Sequence, residues 1–131
     1  MQALGRQILV ELYDCNRDVL NDETKIRKVM MEGTRRSGAT IITDTFHIFS
    51  PHGVSGVIVI AESHVAIHTW PEYGYAAVDI FTCGDMIDPW AIMDHMKLGF
   101  SAGSVSTTEL KRGLFPSRLP HKPEVEAALA G

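Results

Sequence analysis

At 131 residues with a formal net charge of -4, the chain has the length of one domain and no basic stripe able to hold a phosphate backbone. A chain of this size buries roughly 65–70% of its unfolded surface, so it needs neither disulfide nor metal staple. Its two cysteines, Cys15 and Cys83, lie far apart, no apolar run approaches the ~20 residues of a bilayer span, and the N-terminus lacks the charged and apolar regions of a signal peptide. A soluble cytoplasmic protein with reduced thiols is expected, with no nucleic acid and no membrane as partner.

Gln7 to Tyr13 is apolar and β-branched enough for a strand, with Glu11 its one charge. That carboxylate either lies on an exposed face or looks into a polar pocket. Asn21 or Asp22 caps a helix through about Arg36, where Ile26, Val29 and Met30 recur at helical spacing and Gly38 stops it. Its lysines and arginines read as a solvated face. Ala39 to Phe49 is a strand, Ser50-Pro51-His52-Gly53 a turn, and Val54 to Ala61 the returning strand of a hairpin. Val65 to Trp70, the turn Pro71-Glu72-Tyr73-Gly74, and Tyr75 to Thr82 continue the pattern. Asp88-Pro89 opens a helix to about Gly99, and Gly103 to Leu110 returns as a strand. The tail from Arg112 contains three prolines and is predicted irregular.

This order, β-α-β-β-β-β-α-β, predicts an α+β two-layer sandwich: one antiparallel sheet with two helices on one face. Strands rich in Val and Ile predict that the second face is covered too, and a symmetric homodimer packing sheet or edge against its copy would cover it.

The residues able to carry chemistry cluster between Glu62 and Cys83. Ser63 between an acid and a histidine is most often structural. By strand alternation it shares a face with Val65 and Ile67, whereas His64 and His68 fall on the other, so joint action of Ser63 and His68 demands a bend or bulge. His64 and His68 could ligate zinc with a third ligand from His47 or Cys83, but the surrounding Val, Ile and Thr favour a strand, and no metal is expected. Cys83 is either a small buried apolar residue or a partly exposed proton donor. Phe49 and Trp70, each at a strand end, either pack or hold a flat purine and a sulfonium between their π-faces, with Glu72 beside them for sugar hydroxyls.

Together, Glu62-Ser63-His64, His68-Thr69-Trp70-Pro71-Glu72, Tyr73-Gly74-Tyr75 and Phe81-Thr82-Cys83-Gly84 resemble the signature of the short bacterial and archaeal S-adenosylmethionine decarboxylases, the pyruvoyl enzymes of spermidine synthesis. Leu4-Gly5-Arg6, Ser37-Gly38-Ala39-Thr40, Thr45-Phe46-His47 and Gly53-Val54-Ser55-Gly56 extend the resemblance over about Leu4 to Leu98. It implies a proenzyme that cuts itself between Glu62 and Ser63 into chains 1–62 and 63–131 and leaves a pyruvoyl group in place of Ser63. The same resemblance gives Ser55 and His68 roles in maturation and makes Cys83 the acid that reprotonates the substrate α-carbon. Phe49 and Trp70 become the adenine sandwich, Glu72 the ribose ligand and Glu11 a further polar contact. It also implies homodimers of cleaved α/β protomers whose sites draw on both subunits. Relatives of this fold decarboxylate arginine or ornithine instead, and Phe49, Trp70 and Glu72 favour S-adenosylmethionine. An uncut regulatory homologue is the reading of another class, against which intact Ser55, Ser63, His68 and Cys83 count.

Overall fold

The computed structural model describes residues 2–116. Six strands form one antiparallel sheet in the order β2-β3-β4-β5-β1-β6, where β1 is Gln2–Tyr13, β2 Ile41–Ile48, β3 Val54–Ile60, β4 Ser63–Trp70, β5 Tyr75–Cys83 and β6 Ser104–Phe115. A four-residue helix, α1 (Arg17–Leu20), precedes α2 (Glu23–Arg36), and α3 (Pro89–Gly99) follows β5. The expected α+β two-layer architecture with its two main helices on one face is present. Strand alternation explains the layers. Ile8, Val10, Ile58, Val65, Ile67, Val78 and Ile80 are buried on one side, against Ile26 and Met30 of α2, Ile92 and Met96 of α3, and Phe100.

The helix ends follow their capping chemistry. The Asp22 carboxylate accepts from the Lys25 amide at 3.1 Å, and Gly38 past the C-terminus of α2 takes φ 90°. Asp88 accepts from the Trp90 amide at 3.1 Å with Pro89 in the first turn of α3. Arg27 of α2 also reaches Asp44 of β2 with two bonds of 2.7 and 3.1 Å, fastening helix to sheet.

The strands differ from expectation mainly at their ends. β1 begins five residues before Gln7 and β6 runs five past Leu110, because the two pair in one register from Gln2↔Phe115 to Tyr13↔Ser104, interrupted only at Leu4 and Gly113. Backbone pairing of this kind needs no apolar alternation, which is why Lys111-Arg112-Gly113 reads as loop in sequence and is strand in space. The prediction of an irregular tail from Arg112 is therefore corrected up to Phe115; Pro116 is a bend, and residues 117–131 lie outside the described residues. β2 is two residues shorter than predicted at its start, and β4 starts at Ser63 rather than Val65.

The second face also needs correction. Valine and isoleucine collect on the helix side, and the open face is mixed: Gln7, Glu11, Ser55, His64, His68 and Asp79 alternate across it with Leu9, Val57, Trp70 and Phe81. Its histidines, acids and aromatics occupy the positions a buried aliphatic face would have used. Among the described residues, no helix is long and apolar enough to cross a membrane.

Candidate active site

The β3–β4 hairpin turns through Ala61 and Glu62, with Ile60 opposite Ser63. Glu62 has φ 75°, a left-handed conformation that a non-glycine residue adopts at a cost of about 1–2 kcal/mol. The bond following this residue is the one that the resemblance described above implies is cut. The Cys83 thiol, ending β5 next to that turn, donates to the Glu62 carbonyl oxygen at 3.3 Å and also bonds the Ser63 side chain. Burial raises the thiol's pKa above its ordinary value, the Glu62 charge raises it further, and the Ser63 bond opposes both more weakly. Cys83 therefore keeps its proton at neutral pH, as a donor requires.

A second group gathers at the other end of the same strands. Ser55 lies opposite His68, and its hydroxyl is 2.7 Å from His68 Nδ1, the donor depending on the imidazole tautomer. His68, Trp70, Tyr75 and Tyr13 follow one another across the open face, with ring centroids 6.5, 5.3 and 5.5 Å apart in that order. The Tyr75 hydroxyl donates to Glu11. Burial first, and Glu11 second, push that phenol well above its usual range. Glu11 thus faces a polar, aromatic surface rather than bare solvent.

Phe49 and Trp70 stand on either side of Gly53. The Phe49 amide donates to the Gly53 carbonyl at 2.8 Å, and a side chain on Gly53, at φ 103°, would press on the Thr69 carbonyl at 3.2 Å. Glu72, in the turn Pro71–Tyr73, meets His52 Nε2 at 2.6 Å. Burial works against the Glu72 charge, but its own backbone amide and His52 outweigh it and hold the carboxyl below the usual range. The His52–Glu72 contact ties together the two turns that carry Phe49 and Trp70.

The predicted site residues therefore form two groups. Glu62, Ser63 and Cys83 meet at one end of the sheet; Ser55, His68, Phe49, Trp70 and Glu72 gather at the other, with Glu11 joined to them through Tyr75. The β3–β4 ladder is unbroken from Ser55↔His68 to Ile60↔Ser63, so Ser63 and His68 are about 17 Å apart along the strand. The bulge that would bring them together within one chain is not there. His64 and His68 are similarly about 13 Å apart, too far to share an ion. Sequence reading missed Tyr75 and His52. Tyr75 offered only its place in Tyr73-Gly74-Tyr75, and its register with Glu11 depends on a long-range pairing; His52 offered only its place beside Pro51.

Comparison with known proteins shows the family. A family model described as S-adenosylmethionine decarboxylase matches residues 6–113. An S-adenosylmethionine decarboxylase proenzyme from Acidithiobacillus ferrooxidans is 55% identical over 113 residues, covering 86% of this chain and 85% of that protein. One of the same name from Thermotoga maritima is 49% identical over 130 residues, covering 95% and 100%. The crystal structure of the adenosylmethionine decarboxylase from Aquifex aeolicus superposes with a TM-score of 0.84 at 31% identity, over 92% of this chain and all of that one. Sequence and fold agree over nearly the same span, and the chain belongs to the S-adenosylmethionine decarboxylase family.

Proposed function

We propose that this chain is a proenzyme that cuts itself between Glu62 and Ser63 and then decarboxylates S-adenosylmethionine, feeding spermidine synthesis in the cytoplasm. The observation that carries the reading is the Glu62–Ser63 junction: a left-handed residue whose carbonyl oxygen receives the Cys83 thiol proton, followed by a serine in contact with the same sulfur. An amide is a poor electrophile and serine a weak nucleophile. Strain at Glu62 and polarisation of its carbonyl by Cys83 act on the first of these limits. The Ser63 hydroxyl oxygen adds to the Glu62 carbonyl carbon, the C–N bond breaks, and the acyl group passes from nitrogen to oxygen as the serine amine is released. Elimination then frees the new carboxylate of Glu62, and hydrolysis expels ammonia to leave the ketone.

The residues around the junction suit a pyruvoyl group at position 63, since Cys83 already reaches that residue's side chain. Such a group supplies a ketone that accepts the substrate α-amine and the electrons released as carbon dioxide leaves. Cys83, held protonated, delivers the proton to the α-carbon. Reaching the substrate from the far end of the apposed sheet in a homodimer, the partner's Phe49 and Trp70 flank the adenine, the partner's Glu72 binds the ribose, and the partner's Glu11, bonded to Tyr75, adds a further polar contact.

Ser55 and His68 are about 17 Å of strand from Ser63, too distant to assist it within one chain. In a homodimer with the two open faces apposed by a two-fold axis, one protomer's Glu62–Ser63–Cys83 group meets the partner's Ser55–His68 group. The mixed polar and aromatic open face is consistent with an interface that doubles as a site.

Denaturing mass spectrometry of the purified protein tests the reading. Fragments matching 1–62 and 63–131, the second with a blocked N-terminus, are expected, together with release of labelled carbon dioxide from carboxyl-labelled S-adenosylmethionine. A chain that stays intact on long incubation would make it the regulatory homologue. Release from arginine or ornithine alone would reassign the substrate.

A further inference from the structure

We infer that Arg112 binds the α-carboxylate of the substrate. Among the open-face positions of the six strands it is the one lysine or arginine; Arg6 and Lys111, paired with each other across β1 and β6, lie on the helix side. Arg112 also lies at the end of the sheet where bond cleavage must occur. Gly5 pairs with Cys83 on one side and with Arg112 on the other, so the guanidinium arm and the thiol start about 10 Å apart across a single strand. The lane between them is kept clear by Gly5, where a Cβ would come within 2.9 Å of the Phe81 ring and 3.2 Å of the Cys83 sulfur.

The arm is steered rather than loose. Nη1 donates to Gln7 Oε1 at 2.7 Å, and the guanidinium carbon lies 5.4 Å from the centre of the Phe81 ring, two residues before Cys83. One side-chain amide satisfies one of its five donors. Among the described residues no carboxylate pairs with it. A planar cation held at one edge, with its other donors available beside the acid that protonates the α-carbon, fits a carboxylate attached to that carbon. The inference rests on the decarboxylase reading but not on the nucleoside, because every amino-acid substrate considered carries this group.

The test uses the difference between substrate and product, which is that carboxylate. In the uncleaved Ser63→Ala protein, adding Arg112→Met is expected to weaken S-adenosylmethionine binding, measured by calorimetry, about tenfold or more, while binding of the decarboxylated product changes less than about twofold. Arg112→Lys keeps the charge and recovers part of the loss. In the self-processing protein, Arg112→Met raises the KM for S-adenosylmethionine and leaves the fraction of cleaved chains unchanged by mass. Equal loss for substrate and product, or no loss for either, overturns the assignment. A chain with arginine retained that never cleaves or turns over instead overturns the function on which it rests, and the mass spectrum alone reports that. Arg112→Gln serves as the second neutral variant should Arg112→Met fail to fold.

Discussion

Pairing Ser63→Ala with His68→Ala in one cell tests whether each site is shared between two copies. The two residues are five positions apart on β4, which is about 17 Å of strand, and the regular ladder excludes a bulge that would shorten it. Each variant alone is expected to remain uncut. In random assortment about half of the dimers are hybrids, and each hybrid contains one site with Ser63 from the His68→Ala chain and His68 from the Ser63→Ala chain. About half of the Ser63-bearing chains then mature, and activity recovers to about one quarter of the unmodified protein, since one site in four is intact. Distinct affinity tags on the two variants isolate the hybrids, and denaturing mass spectrometry counts cut chains. Isolated hybrids whose Ser63-bearing chains stay uncut would refute the shared site. Maturation of a strictly monomeric unmodified chain would do so equally.

Three further perturbations follow from particular contacts. Cys83→Ala removes the donor to the Glu62 carbonyl, so maturation slows by about tenfold or more and the cut enzyme protonates its product poorly; normal time courses for both steps would exclude the two roles. Gly56→Ala drives a Cβ into the Phe46 ring, so the ring must leave its place across β3. The expected loss is about 1–3 kcal/mol, read as a calorimetric Tm about 3–10 °C lower, and an unchanged Tm would mean that the ring turns aside freely. Arg27, first through its hydrogen bonds and then through its charge, holds the Asp44 carboxyl below its ordinary value. A depressed folded-state pKa contributes stability above the unfolded carboxylate value and loses it as pH falls through the lowered folded value, so Arg27→Met lowers Tm more at pH 7 than near pH 3. With Arg27 half exposed, solvent screening keeps the effect small, and a difference that grows on acidification would contradict it.

The fold was legible wherever the signal was local. Asp88-Pro89 announced α3, Gly38 closed α2, and Pro51-His52-Gly53 and Pro71-Glu72-Tyr73-Gly74 marked turns, because a capping carboxylate or a fixed φ acts within a few residues. α1 escaped because four residues are too few for a period; only Asn16, whose side chain accepts from the Val19 amide at 3.1 Å, betrays it. The insertion of β1 between β5 and β6 left no local trace at all. It matters for the proposed carboxylate site, since that strand, next to the edge, brings Gly5 between Cys83 and Arg112.

The chemistry was legible by residue type and the geometry only by register. Alternation along β4 already separated Ser63 from His68 by face, and the pairing Ser55↔His68 then decides which end of the sheet each belongs to. A strand cannot bring residues five apart into contact, whereas a two-fold axis can bring one end of a sheet onto the other end of its copy. A single domain of this length can thus divide a nucleophile and its helpers between its two ends, and the proposed shared site makes maturation depend on assembly: a chain that has not found its partner holds its own serine–histidine pair about 17 Å of strand away from the strained bond and the thiol. Dilution below the dimer's dissociation constant is therefore expected to slow cutting in freshly refolded protein, and a cleavage rate independent of concentration across that range would remove the link between pairing and maturation.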